Sequence, residues 1–95
     1  MSLPKEFKIF GELHKVSEVK KVDSQDSFGE YIPDKNKLRI KKQTNPDIKE
    51  QTFLHELTHA ILHHLSYDEL YEDEVFVDQF SKALHQALKT SGIWK

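Results

Sequence analysis

The stretch "TNPDIKEQTFLHELTHAILHHL", residues 44 to 65, leaves little freedom in what this chain can build. Ile48, Leu54, Leu57, Ile61 and Leu65 recur at helical spacing, which predicts one long amphipathic helix. Asn45 is placed to cap it, with Pro46 at its first position. Asp47 and Glu50 then lie near the positive end of the helix dipole. Phe53, Leu54, Leu57, Ala60 and Ile61 make the middle of this helix a buried element, so the polar residues among them line a pocket.

A second helix fits "EDEVFVDQFSKALHQALKT", residues 72 to 90, with Phe76, Phe80, Ala83, Leu84, Ala87 and Leu88 as its apolar stripe and Gly92 as its stop. The connection "SYDELYED" is acidic and carries two tyrosines. The first half reads as strands. "EFKIFGELHKV" is rich in aromatic and β-branched residues, and "VSEVKKV" continues more weakly, its valines spaced by three so that a short helix is also open there. "FGEYIPDKNKLRIKK" predicts a hairpin: Pro33 and Asp34 bring turn chemistry, and Leu38 and Ile40 alternate with Lys37, Arg39 and Lys41. The expected fold is α+β, a small antiparallel sheet of three or four strands packed against two main helices. The expected organisation is one domain over residues 1 to 95.

Composition narrows the partners. With 95 residues the core is modest, and with no cysteine neither disulfides nor thiolate ligands can brace it. The absence of disulfides points to the cytoplasm. Lys and Arg number 14 against 16 Asp and Glu, a net charge of −2, which argues against a nucleic-acid binder. No apolar run approaches the roughly 18 residues of a membrane span. "MSLPKEFKIF" has neither the apolar stretch nor the cleavage site of a signal peptide.

Within the first helix stands "HELTH", residues 55 to 59. Histidines four apart share one helix face, one turn apart, so His55 and His59 can offer nitrogen donors to one zinc ion. Glu56, next to the first histidine, falls beside the metal rather than on it. There its carboxylate can take a proton from a water and pass it to a leaving amine. This is the H-E-x-x-H spacing of zinc peptidases, against the plainer reading of an incidental histidine pair on a solvated helix. The third ligand is open. A histidine six residues past His59, with glycine at the third, would define one class, but those positions are Leu65 and Leu62. The alternative is an acid from the next helix: Glu72, Asp73, Glu74 or Asp78. Glu74 with Asp78 one turn on is the favoured pair, Glu74 binding the metal and Asp78 accepting the other ring N–H of a ligand histidine. On a helical wheel Asp73 lies nearer the centre of the expected stripe, while Glu74 sits at its Val77, Ser81 and Leu88 edge. Asp73 can also serve simply as an N-cap.

"TFLHELTHAILHHL" followed by "EDEVFVDQFSKAL" resembles the small phage and mobile-element metallopeptidases of the ImmA/IrrE type. Those proteins carry an H-E-x-x-H helix, a third acidic ligand on the next helix and an apolar F-A-x-x-L-like run, which here reads Phe80, Ser81, Lys82, Ala83, Leu84. "GEYIPDKNKLRI" is similar to the strand pair before their active helix, so the resemblance extends over residues 28 to 90. It implies a minimal zincin-like, gluzincin-type architecture, with His55, His59 and Glu74 as ligands and Glu56 as catalytic base. The family's E-A-N-x-F-A segment is not reproduced: "EVFVDQFS", residues 74 to 81, spaces its glutamate and phenylalanine differently. Members cleave repressor proteins, which implies a protein or peptide substrate.

Tyr67 and Tyr71 in the connection, and His63 and His64 at the helix end, are candidate donors to a developing oxyanion; simple packing, or a favoured place near the helix C-terminus, would equally account for them. His14 and His85 read as surface residues. "KLRIKK" is the strand expected to be an exposed edge and to accept an extended peptide. Three functions are carried forward: a zinc metallopeptidase, a zinc-stabilised binding module that does not cut, and a metal-free structural protein.

Overall fold

The computed structural model describes residues 3–23, 27–43 and 45–94. Strands β1 (Glu6–Ile9) and β2 (Glu12–Val19) form a hairpin. Its two loop residues, Phe10 at φ 50° and Gly11 at φ 81°, both take positive φ, the twist that tight hairpins require. "EFKIFGELHKV" is thus two strands, and the short helix left open over residues 16 to 22 does not form at Val16–Val19, which belong to β2.

The second hairpin follows the expected boundaries. Strand β3 (Gly29–Ile32) leads through a 3-10 turn at Pro33–Lys35 into β4 (Lys37–Lys41). Asn36, at φ 47°, closes that turn with its N–H on the Pro33 carbonyl.

The sheet is mixed rather than antiparallel. Its order is β1-β2-β4-β3, and β2 runs parallel to β4. The strand "KLRIKK" is consequently central, and the open edge beside the helices belongs to β3. Burial explains the placement: Leu38 and Ile40 on β4 are 0 % exposed, and only an interior position covers an alternating strand so completely.

Helix α1 (Pro46–His64) lies across the sheet. Asn45 caps it as expected, its side-chain oxygen accepting from Asp47 N–H at 2.9 Å and Ile48 N–H at 3.3 Å. Phe53, Leu54 and Ala60 meet Leu38 and Ile40, with Phe7, Val16 and Tyr31 packed around them. A short helix α2 (Asp68–Glu72) fills the acidic connection, and α3 (Glu74–Ser91) follows. Gly92, at φ 81°, ends α3. It turns the chain so that Trp94 N–H reaches the Leu88 carbonyl at 3.2 Å and the indole joins the core against Phe53.

The buried face of α3 is rotated from the expected stripe. Val77, Ser81 and His85 are buried, while Phe80 and Ala83 are exposed. What turns the helix is polar: His85 Nε2 meets a Glu50 oxygen at 2.9 Å, and Glu50 is 0 % exposed. His85 is therefore interior, and so is His14, at 0 % exposure on the inward phase of β2. Both contradict the surface reading. His14 shares its strand phase with Val16, and His85 lies eight residues past Val77 on one helix face, so period alone carried the signal.

Gly29 lets β3 approach α1. A Cβ there would stand 2.7 Å from Thr52 Cγ2 and 3.1 Å from the Arg39 carbonyl. Thr52 cannot rotate away freely, because its hydroxyl donates to the Ile48 carbonyl at 2.7 Å. Gly29→Ala is expected to destabilise the fold by about 1–3 kcal/mol, the usual effect of overpacking. Adding Thr52→Ser, which keeps the hydroxyl and deletes the methyl, should recover more than half of the loss in urea denaturation. Equal stability of the single and double variants would show that the contact is not the cause.

Candidate metal centre

The rotation of α3 decides which acid meets the histidines. Residues 74, 77, 78, 81 and 85 share the face turned to α1, so Glu74 projects over the His55–His59 face. His55 Nε2 stands 3.1 Å from Glu74 Oε2, and His59 Nε2 stands 2.9 Å from Glu74 Oε1. The two rings lie 5.1 Å apart between centroids. Asp73 is engaged elsewhere, as the cap of α3, its carboxylate accepting from Phe76 N–H at 3.0 Å. Glu72 is exposed and lines the cleft without meeting the imidazoles.

The donor set fits zinc. Two imidazole nitrogens and a carboxylate offer ligand atoms within 4.8 Å of one another. The N···O separations of 2.9 and 3.1 Å are close to the edge of a tetrahedron built on roughly 2.0–2.1 Å bonds. Burial lowers the pKa of His59, and His55 adds to this, although Glu74 and the nearby Tyr71 main chain pull the other way; the net effect favours the neutral ring that a metal needs. Nδ1 of His59 is buried without a hydrogen-bond partner of ordinary geometry among the described residues.

Asp78 does not take its expected role. Its carboxylate faces Nδ1 of His55 at 3.8 Å, too far for a hydrogen bond, and is held by Lys82 Nζ at 2.9 Å. The i,i+4 ammonium engages Oδ2, while Oδ1 is the oxygen that faces His55.

Glu56 is 8 % exposed, under Gly29. Burial, then the charges of Glu74 and Glu30, push its pKa up to about 8. Two adjoining cavities of about 420 and 430 Å³ meet at Gly29, His55, Glu56 and Glu74, so a cleft extends to both sides of the centre. Tyr71 lines one side, its ring 5.0 Å from that of His59. Its hydroxyl is kept protonated by burial and by the neighbouring carboxylates of Glu56, Glu74 and Glu72. Tyr67 is 56 % exposed and lines neither cavity. His64 turns towards β2, and His63 packs on Tyr31 and Tyr71, so neither lines the cleft. Tyr31 does line it, and no sequence pattern singled it out.

No family model, curated protein or solved structure matches the chain. Among the described residues no helix is long and apolar enough to cross a membrane.

Proposed function

We propose that this chain is a zinc-dependent metallopeptidase of minimal zincin-like architecture, of the kind its motif helix resembles, acting on a protein or peptide substrate. One observation carries the reading: the two imidazoles close with Glu74 into a single donor set, and Glu56 stands beside it at the meeting point of the cleft. A zinc ion in that set would polarise a substrate carbonyl and acidify water towards neutrality.

The protein's own groups supply the rest. Glu56 receives the proton of the attacking water and returns it to the leaving amine. A dication nearby favours its ionised form, which offsets the rise to about 8 set by burial and acidic neighbours. Tyr71 offers a protonated hydroxyl at the cleft wall for the oxyanion.

Substrate binding moves from β4 to β3. Lys41 N–H bonds the Phe28 carbonyl at 2.7 Å, and Glu30 and Ile32 are the next alternate residues, opposite Arg39 and Lys37. In an antiparallel pair this alternation turns the main-chain groups of Gly29 and Tyr31 outward. They border the cleft and can take an extended peptide as a further strand.

The test is metal analysis of tag-free protein together with cleavage of a peptide mixture, with and without a chelator. About one zinc per chain and chelator-sensitive cleavage are expected. Bound zinc without cleavage would instead make the chain a zinc-stabilised binding module. Less than about a tenth of a zinc per chain after zinc is supplied would end the metal reading.

A further inference from the structure

The rotation of α3 leaves uncovered the stripe that its own periodicity favours. Val77, Ser81 and His85 are buried, with Leu84 and Leu88 packed against the core. Phe76, Phe80, Ala83 and Ala87 then fall in one row on the outward side. Phe80 is 47 % exposed and Val75, beside the row, 67 %. Ala83 and Ala87 are exposed as well, and Phe76 is partly buried. The rings of Phe76 and Phe80 stack at 5.8 Å, so the first half of the row is one continuous aromatic surface.

Two features of this face point to what covers it. The first is charge. An outward helix face is ordinarily the polar one, and 32 % of this chain is charged. Yet the charged side chains of α3, Glu74, Asp78, Lys82 and Lys89, all fall off the row. The second is the order of sizes: two phenylalanines, then two alanines. A second α3 laid antiparallel about a midpoint between Ser81 and Lys82 sets Phe76 against the partner's Ala87 and Phe80 against the partner's Ala83. Large then meets small along the whole contact, as packed helices require. A parallel pair would oppose ring to ring and leave alanine facing alanine. Gln79 and Gln86 are exposed along one flank of the row. The same two-fold brings Gln79 near the partner's Gln86, where amides can both donate and accept at the rim.

We propose that the outward face of α3 is a self-association surface, through which two copies of this chain pair as an antiparallel, two-fold α3–α3 contact. A row that complements itself about its own midpoint suits an identical partner, and a foreign partner gives no reason for that symmetry. The cleft stays open in the pair, because Glu74, Asp78, Ser81 and Lys82, the residues of α3 that line it, lie off the row. One helix pair makes a small interface, below roughly 1,200 Å² in total, so the dimer dissociates at concentrations on the order of micromolar.

Sedimentation equilibrium of the full-length chain, from low micromolar to millimolar concentration, tests this. Wild type should show a reversible monomer–dimer equilibrium. Phe80→Glu puts a charge into the contact and should weaken dimerisation by more than about tenfold, with circular dichroism unchanged because the site is exposed. Ala83→Phe alone should weaken it too, by setting ring against ring. Combining Ala83→Phe with Phe80→Ala again places large opposite small and should restore the dimer. Should Phe80→Glu unfold, Ala83→Phe and its rescue decide. A wild type that stays monomeric at millimolar concentration, a dimer indifferent to Phe80→Glu, or an exchange that fails to rescue Ala83→Phe would each overturn the proposal.

Discussion

Replacing Glu56 by glutamine is expected to reduce peptide cleavage by about 10²–10⁴-fold while leaving zinc stoichiometry unchanged. The carboxylate is no member of the donor set formed by His55, His59 and Glu74, so the amide removes the proton acceptor and little else. Zinc lost together with activity would mean that Glu56 holds the metal rather than the proton. The same variant has a second signature in metal-free protein. The Glu56 carboxyl rises from an ordinary 4.5 to about 8 on folding. Between those values the folded chain keeps a proton that the unfolded chain has released. Its stabilising effect is complete below about pH 4.5, falls as pH rises, and is gone above about pH 8. His59, with its pKa lowered by burial, contributes a slope of opposite sign, but it does so in both proteins. The stability difference between wild type and Glu56→Gln, from urea midpoints, should therefore shrink steadily from pH 5 to pH 8 and turn against the wild type. A difference constant across that window would refute the buried, proton-holding state.

Glu50→Ala should cause the largest loss of stability. The carboxylate is 0 % exposed and is shared by His85 at 2.9 Å and Lys89 Nζ at 3.2 Å, joining α1 to α3. Removing it strands the buried His85 ring in the interior and unpairs the partly exposed Lys89 ammonium, which costs about 3–5 kcal/mol. For a domain of this size that is a fall in Tm on the order of 15 °C. Burial raises the pKa of Glu50, but hydrogen bonds from His85 and Lys89 and their charges outweigh it, and the net shift is downward. Its contribution is thus present above the ordinary carboxylate range and is lost as pH falls through the lowered value. Thermal melts at pH 7 and in acid check both parts: the gap between wild type and variant should narrow on acidification. A Tm change under about 3 °C at pH 7 would show the network to be ornamental. The candidate metal centre depends on this network as well, because the pairing that holds His85 inward also sets the rotation that brings Glu74 over His55 and His59.

What could be read in advance follows the range of the forces involved. Helix α1, its Asn45 cap, the Gly92 stop and the β3–β4 hairpin were legible because each depends on neighbours a few residues away. The shared face of His55 and His59 was legible for the same reason, since the helical repeat alone imposes it. Glu74 was only one of several acids. The apolar pattern of α3 favoured a face through Phe80 and Ala83, which would have aimed Asp73 inward. A buried hydrogen bond to Glu50, 35 residues away, turned the helix instead.

The same division separates the two misplaced histidines and the substrate edge from the rest. The alternation of β4 marks it as a strand with one buried face, and only assembly of the sheet puts it between β2 and β3 and leaves β3 open. Hydrophobic periodicity is local and belongs to each segment. Strand order, helix rotation and the pairing of buried charges are chosen by all segments together, since each polar group taken from water must find its partner in whatever packing the core allows.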